Sequence, residues 1–260
     1  MSYHSLDSKQ LDLLLCLYKF RFGARALIAS YQNTTISNTH YRLTTLLKQD
    51  YVARKYNGKS KIQGREATYF LTPKAIRLLK QNKDLELSTK ALNLMYKNDQ
   101  IGQQFINECL DILRQYIKLK NKYGDQLAFY SKSELADYNF FPKRLPDGFI
   151  TIKNNSFWLD NMYVGDTYSS LKKRIENIFS HFESGNWASS GMEYPLILMA
   201  CETPYLEKQV QGLAKRQSYK NPNIKLDFYT TTHKAMQDGD TVWSRVGNAD
   251  KLLSLANIAV

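Results

Sequence analysis

Apolar residues recur at helical spacing three times within the first fifty positions. Leu11, Leu14, Leu15 and Tyr18 follow a capping-box pair, Asp7 and Gln10, which predicts a first helix running to about Lys19. Gly23 resets the chain, and a short second helix is expected over residues 24–31. The polar run Gln32, Asn33, Thr34 and Thr35 then leads into a third helix with Ile36, Leu43, Leu46 and Leu47 on one face. Its opposite face carries Asn38, Tyr41, Arg42 and Thr45, with Thr35 and Ser37 at the N-terminus. These groups can hydrogen-bond phosphates and base edges.

After Asp50 the pattern turns extended. Tyr51 to Ala53 and Ala67 to Leu71 read as the strands of a hairpin whose tip holds Arg54, Lys55, Lys59, Lys61 and Arg65, with no acid before Glu66. Thr72 caps a further helix with Pro73 at its first position, followed by Ile76, Leu78 and Leu79. A long helix is expected over about 100–123, where Phe105, Ile106, Cys109, Leu110, Leu113, Tyr116 and Ile117 keep helical spacing. Its apolar stripe serves either as core or as a contact in a homodimer. From Gly124 onward extended and helical stretches alternate: strands at 127–130, 148–152, 156–160, 194–201, 224–229 and 241–246, helices at 167–183 and 204–216. The expected fold class is α+β. Residues 1–83 form one domain, 84–123 a helical connector, and 124–260 an α/β domain with a mixed sheet.

Charge sharpens this division. The net charge of +12 is concentrated at the front: residues 1–83 hold 15 Lys and Arg against 4 Asp and Glu, and residues 84–260 hold 21 against 20. A cationic module joined to a nearly neutral one implies a polyanion partner, and double-stranded DNA fits better than a membrane because no basic amphipathic anchor is visible. The longest strongly apolar run, 194–201, is too short to span a bilayer, and no signal peptide is seen, so a cytoplasmic location is expected. Three dispersed cysteines, Cys16, Cys109 and Cys201, exclude a disulfide framework and a CxxC pair, and read as buried thiols. His4, His40, His181 and His233 are scattered. GxxxxGK[ST], GxGxxG and GxSxG are absent, so nucleotide motors, dinucleotide enzymes and serine hydrolases of those types are set aside, and no cofactor is implied.

Residues 1–83 resemble a winged helix-turn-helix, with GREATYFLTPKAIRLL matching the second wing strand and the helix after it. By that resemblance Asn38, Tyr41, Arg42 and Thr45 would face bases, and Arg54, Lys55, Lys59, Lys61 and Arg65 would neutralise phosphates. Farther on, Asp147 before one strand and Asp160 in FWLD resemble the acids of a PD-(D/E)xK nuclease core, making them candidate metal ligands. Met162 stands where that motif has its lysine, so the core resembles a restriction endonuclease without its catalytic set. Alternatively, Asp147 is a turn residue and Asp160 a strand-end cap. The whole layout resembles the replication-relaxation family of plasmid and mobile-element proteins. That resemblance implies a non-enzymatic DNA-binding accessory factor of plasmid replication or conjugative mobilisation, working beside a relaxase or other mobilisation protein. The alternatives are a winged-helix transcriptional repressor and a metal-dependent nuclease using Asp147 and Asp160.

Overall fold

The computed structural model describes residues 6–56, 66–153, 155–239 and 242–258. The chain divides into two compact units, Met1–Lys118 with Ser131–Asp137, and Leu119–Tyr130 with Tyr138–Val260.

In the first unit α1 (Ser8–Phe20) starts at Asp7, whose carboxylate accepts from the Gln10 N–H at 2.7 Å while Gln10 Oε1 accepts from the Asp7 N–H at 3.1 Å. The helix ends at Arg21, a non-glycine residue at φ 65°. Its guanidinium is pinned by Asn98 Oδ1 at 2.6 Å and lies 4.8 Å from the Phe105 ring centre. At Gly23 the chain passes so close to α2 that a Cβ would sit 2.8 Å from Ile28 Cγ1. There follow β1 (Gly23–Ala24), α2 (Arg25–Tyr31), α3 (Ile36–Lys48), β2 (Val52–Lys55), β3 (Thr68–Leu71) and α4 (Pro73–Gln81). The strands make an antiparallel sheet in the order β1-β3-β2. Three helices followed by a hairpin and a fourth helix, with β1 completing the sheet, follow the element order expected of a winged helix-turn-helix.

Its core is built by Leu13, Leu14, Leu17, Ile28, Leu43, Leu46, Val52, Leu71, Ile76 and Leu79, all nearly solvent-free. Then come α5 (Thr89–Met95), α6 (Gln103–Tyr123) and the single turn α7 (Lys132–Leu135). The apolar stripe of α6 is used inside the unit, where Ile106, Cys109 and Leu110 pack with Phe22, Ala24 and Phe70. The short segment around α7 is tied to α1: the Tyr18 hydroxyl donates to Ser133 O at 3.0 Å, and Lys19 pairs with Glu134 at 3.0 Å.

The second unit contains β4 (Leu127–Ser131), β5 (Gly148–Ile152), β6 (Asn155–Met162), α8 (Tyr168–Glu183), β7 (Leu196–Cys201), α9 (Pro204–Lys220) and β8 (Phe228–Thr232). It ends with α10 (His233–Asp238), β9 (Trp243–Arg245), β10 (Asn248–Leu253) and α11 (Leu255–Ile258). Among the described residues the strands form one mixed seven-stranded sheet, β10-β9-β8-β7-β6-β5-β4. The central ladders β6-β7 and β7-β8 are parallel, and β5-β6, β8-β9 and β9-β10 antiparallel. Two parallel steps require two crossovers; α8 and α9 supply them. Both pack on the same sheet face, through Leu171, Ile175 and Ile178 of α8 and Leu206, Val210 and Leu213 of α9, against Trp158, Met162, Ile197, Met199, Cys201 and Phe228.

Several predicted boundaries shift. The strand expected at 224–229 begins only at Phe228, because Ile224 and Leu226 pack on the core from the preceding loop without entering the ladder. β6 continues two residues past Asp160, and α9 runs on to Lys220. Ile36 was expected on the buried face of the third helix, yet it is 52% exposed. Helical side chains lean toward the N-terminus, so at the first position Ile36 overhangs the helix end instead of meeting the core. Cys16, Cys109 and Cys201 are all buried and none is in a disulfide, and burial pushes the thiols of Cys16 and Cys201 upward. Among the described residues no helix is long and apolar enough to cross a membrane.

Aromatic rings crowd the edge of the second unit's core, where Trp158, Trp187 and Tyr194 surround His181. The Phe140 carbonyl, 2.8 Å from His181 Nε2, can only accept, so that nitrogen carries the proton. Nδ1 lies 2.9 Å from the Tyr194 hydroxyl, which also reaches Ile178 O at 3.3 Å. Burial holds the imidazole below its ordinary value, with the Phe140 carbonyl opposing in part.

Two outcomes are expected. Leu43→Ala, which empties a fully buried site under α3, should cost about 2–5 kcal/mol in urea denaturation. For His181 the unfolded chain binds a proton more readily than the folded one, so its contribution is present above the unfolded value of about 6.5 and is lost as pH falls below it. The urea midpoint should therefore drop between about pH 7 and pH 5, and His181→Gln should flatten that drop.

Candidate nucleic-acid interface and a buried charge cluster

α3 begins at Thr35, whose hydroxyl accepts from the Asn38 N–H at 3.2 Å. Thr39, Leu43 and Leu46, spaced four and three apart, point into the core. That spacing turns Ser37, Asn38, Tyr41 and Lys48 to solvent, and Tyr41 is 74% exposed. No acidic residue occurs in α3.

Arg42 and Thr45 are half-buried at the margin of this face. Arg42 Nη1 donates to Gln32 Oε1 at 3.3 Å, and Gln32 Nε2 in turn donates to Lys9 O and to Asp12 Oδ2, each at 2.8 Å. The arginine is thus steered along the turn between α2 and α3. The Thr45 hydroxyl donates to Tyr41 O at 3.1 Å, and that of Thr44 to His40 O at 2.8 Å.

The wing cations do not share one fate. Arg54 is exposed, its guanidinium 5.6 Å from the Tyr56 ring centre. Lys55 instead donates to the carbonyls of Ile101 at 2.7 Å and Asp99 at 3.2 Å. Lys59, Lys61 and Arg65 lie outside the described residues. Glu66 reaches back to α2, accepting from the Ala26 N–H at 2.9 Å and pairing with Arg25 at 3.4 Å. Two exposed cations of α4, Lys74 and Arg77, join the set although the sequence pattern did not single them out. Lys74 donates to Gln49 O at 2.7 Å, which places it beside the C-terminal end of α3.

In the second unit, the β5-β6 register pairs Gly148 with Leu159, which carries Asp147 opposite Asp160. Gly148 is required at this point because a Cβ there would sit 2.6 Å from Phe129 Cζ. The two carboxylates are buried, and between them lies Arg174 of α8. Its Nη2 donates to Asp160 Oδ1 at 2.9 Å and Asp147 Oδ2 at 3.5 Å, while Nη1 donates to Asn161 O at 2.7 Å. Asp147 Oδ2 also accepts from the Asn161 N–H at 2.7 Å.

Burial alone would lower the Arg174 guanidinium, yet the charges of Asp160 and Asp147 hold it above its ordinary value. The donor set suits an internal ion triad better than a divalent cation. Each acid already shares a guanidinium, Met162 at the motif's lysine position is fully buried, and the adjoining cleft of about 400 Å³ is rimmed by Lys143 and Arg144. Among the described residues no group of three or more His, Cys, Asp and Glu is placed to hold a metal. Arg174 was missed in the sequence, although it falls on the apolar stripe of Leu171, Ile175 and Ile178, where a cation requires a buried partner.

No protein-family profile matches this chain, and no curated protein does. Among solved structures, a zinc-responsive MarR-family member, ZitR of Lactococcus lactis, aligns over 46% of this chain and 78% of its own. The identity is 17% and the TM-score 0.28, a likeness too loose to carry an argument.

Removing the guanidinium leaves two buried acids facing each other, so Arg174→Met should destabilise the chain by about 3–5 kcal/mol in urea denaturation. Adding Asp147→Asn and Asp160→Asn to it should restore much of the loss; no recovery would show that the arginine acts by packing.

Proposed function

We propose that this chain is a sequence-preferring, double-stranded DNA-binding protein of the regulator kind, reading the major groove with α3. The observation that carries the reading is the outer face of α3: Ser37, Asn38 and Tyr41 stand exposed on a helix without acids, within a segment whose Lys and Arg outnumber its Asp and Glu by 15 to 4. Asn is suited to adenine, Arg42 at the margin to guanine, and Arg54, Lys74 and the wing cations to phosphates. A homodimer on a repeated half-site is the form proposed, and neither a cofactor nor catalysis is part of it. The three domains proposed are the winged helix of 1–83, the connector of 84–123 and the α/β domain of 124–260.

A second reading, an accessory factor of plasmid replication or mobilisation recruited beside a relaxase, is supported by one feature. The succession α6, β4, α7, β5, β6, α8, β7, with two acids facing each other across β5 and β6, resembles the layout of a nuclease-like core and supports this reading. Arg174 between those acids favours a core retained for binding over one that cuts.

Selection of random duplexes at about 150 mM salt, where phosphate affinity is suppressed, tests the reading. An enriched motif is expected with the full chain. Asn38→Ala and Arg42→Ala should each reduce affinity for that motif by roughly 1–3 kcal/mol and relax preference at one position. Arg54→Ala with Lys74→Ala should weaken all sequences alike and lower the salt slope by about 0.9 per lost phosphate contact. No enrichment would remove the DNA-reading assignment.

A further inference from the structure

The charge of the second unit is close to balanced, but it is not evenly placed. Along α9, Tyr205, Lys208, Gly212, Arg216 and Tyr219 recur every three to four residues and make one outward stripe, flanked by Lys215 and Lys220. The helix's one acid, Glu207, is turned away to accept from the Thr230 hydroxyl of β8 at 2.9 Å. Beside the stripe, the first turns of α8 add Tyr168, Lys172 and Lys173, and a groove of about 380 Å³ runs between the two helices, lined by Tyr168, Lys172, Arg216, Tyr219 and Lys220.

Among the described residues of α8 and α9, six cations therefore share one face with one carboxylate, Glu176, which pairs with Lys172 at 3.7 Å. Among the described residues Lys173, Lys208, Lys215 and Lys220 pair with no acid. The large hydrophobic residues exposed on these two helices are tyrosines alone: Tyr168 at 50%, Tyr205 at 71% and Tyr219 at 74%. Arg216 Nη1 donates to the Tyr168 hydroxyl at 3.0 Å, which holds one ring at the groove edge.

Like charges gathered this closely repel unless a polyanion neutralises them. The tyrosines narrow the choice of polyanion. A duplex keeps its base faces stacked and offers an aromatic side chain nothing to stack on, whereas a single strand offers every base. An anionic membrane would call for an aliphatic anchor among the cations, and this face has none. From Tyr205 to Tyr219 the stripe spans about 21 Å, room for about six stacked nucleotides at roughly 3.4 Å each.

We propose that the α8-α9 face of the second unit binds single-stranded nucleic acid, with the lysines on the phosphates and Tyr205 and Tyr219 stacking on bases. This site is separate from α3 and does not depend on the duplex-reading assignment.

The experiment is fluorescence anisotropy of the full-length chain with a labelled 20-nucleotide oligo-dT, over about 50–300 mM salt. The wild type should bind, and Lys208→Ala/Lys215→Ala/Lys220→Ala should lose at least about tenfold and reduce the salt slope by about 2, at roughly 0.7 per contact. Tyr205→Ala/Tyr219→Ala should also lose at least about tenfold while keeping the slope. All of these side chains are exposed, and both variants should retain the wild-type urea midpoint and duplex preference. Absence of oligo-dT binding by the wild type, or wild-type binding by the lysine variant, overturns the proposal. So does loss in the lysine variant alone, which would mark a surface for polyanions without base stacking, and so does tighter capture of phosphatidylserine vesicles than of oligo-dT. Loss of oligo-dT binding on Asn38→Ala/Tyr41→Ala would move the single strand to α3 and equally overturn it.

Discussion

The burial of Thr39, Leu43 and Leu46 is the contact on which the first unit depends. These three residues fix the rotation of α3 about its own axis, and a helix with its inner face fixed has no choice of outer face. Ser37, Asn38 and Tyr41 are therefore displayed by the hydrophobic effect acting on their neighbours. The supporting shell is local on one side and distant on the other: Gln32 at the preceding turn steers Arg42, while Glu66, forty residues on, satisfies the first turn of α2. The outward positions of α3 are thus held by residues that do not share its exposed face.

The second unit solves the opposite problem, that of keeping charge inside. Arg174 is placed by an amphipathic helix whose neighbouring positions are apolar, so its guanidinium is carried into the sheet whether or not it is welcome. Asp160 and Asp147 make it so, and the Asn161 carbonyl takes up a further N–H. Such a triad gains little net stability over a well-packed apolar trio, but losing one member is costly. It therefore fixes α8 on the sheet in one register, since a slide of one turn would part the guanidinium from both carboxylates.

Much of this was legible in the chain. The capping box at Asp7 and Gln10, the proline start of α4 and the hairpin strands at Gly148 and Asp160 all come from patterns within a few residues, and there the structure agrees. The nearness of Asp147 and Asp160 was implied by the resemblance to a nuclease core, and the β5-β6 register sets them opposite each other. What was hidden is long-range. Nothing local tells that Tyr18 bonds Ser133, that Lys55 turns to the carbonyls of Asp99 and Ile101, or that Glu66 serves α2. The edge strand β10 was not among the expected strands, whereas β9 falls inside the stretch expected at 241–246. Ile224 and Leu226 show the converse error, apolar residues buried for packing and mistaken for a strand. Arg174 could have been found, because a lone cation on an apolar stripe demands an acid elsewhere, and two acids had already been marked.

If α3 reads DNA as proposed, the hydroxyl of Thr45 bears on what it can distinguish. Its proton is spent on the carbonyl of Tyr41, one turn back, which leaves the oxygen with lone pairs only. In the major groove such an oxygen can receive a hydrogen bond from the exocyclic amino group of adenine or cytosine, but it has nothing to give to guanine O6 or thymine O4 without first breaking its bond within the helix. A residue that on paper is both donor and acceptor has been made one-sided by its own backbone, and under the proposed reading the alphabet open to it would be halved before any DNA arrives.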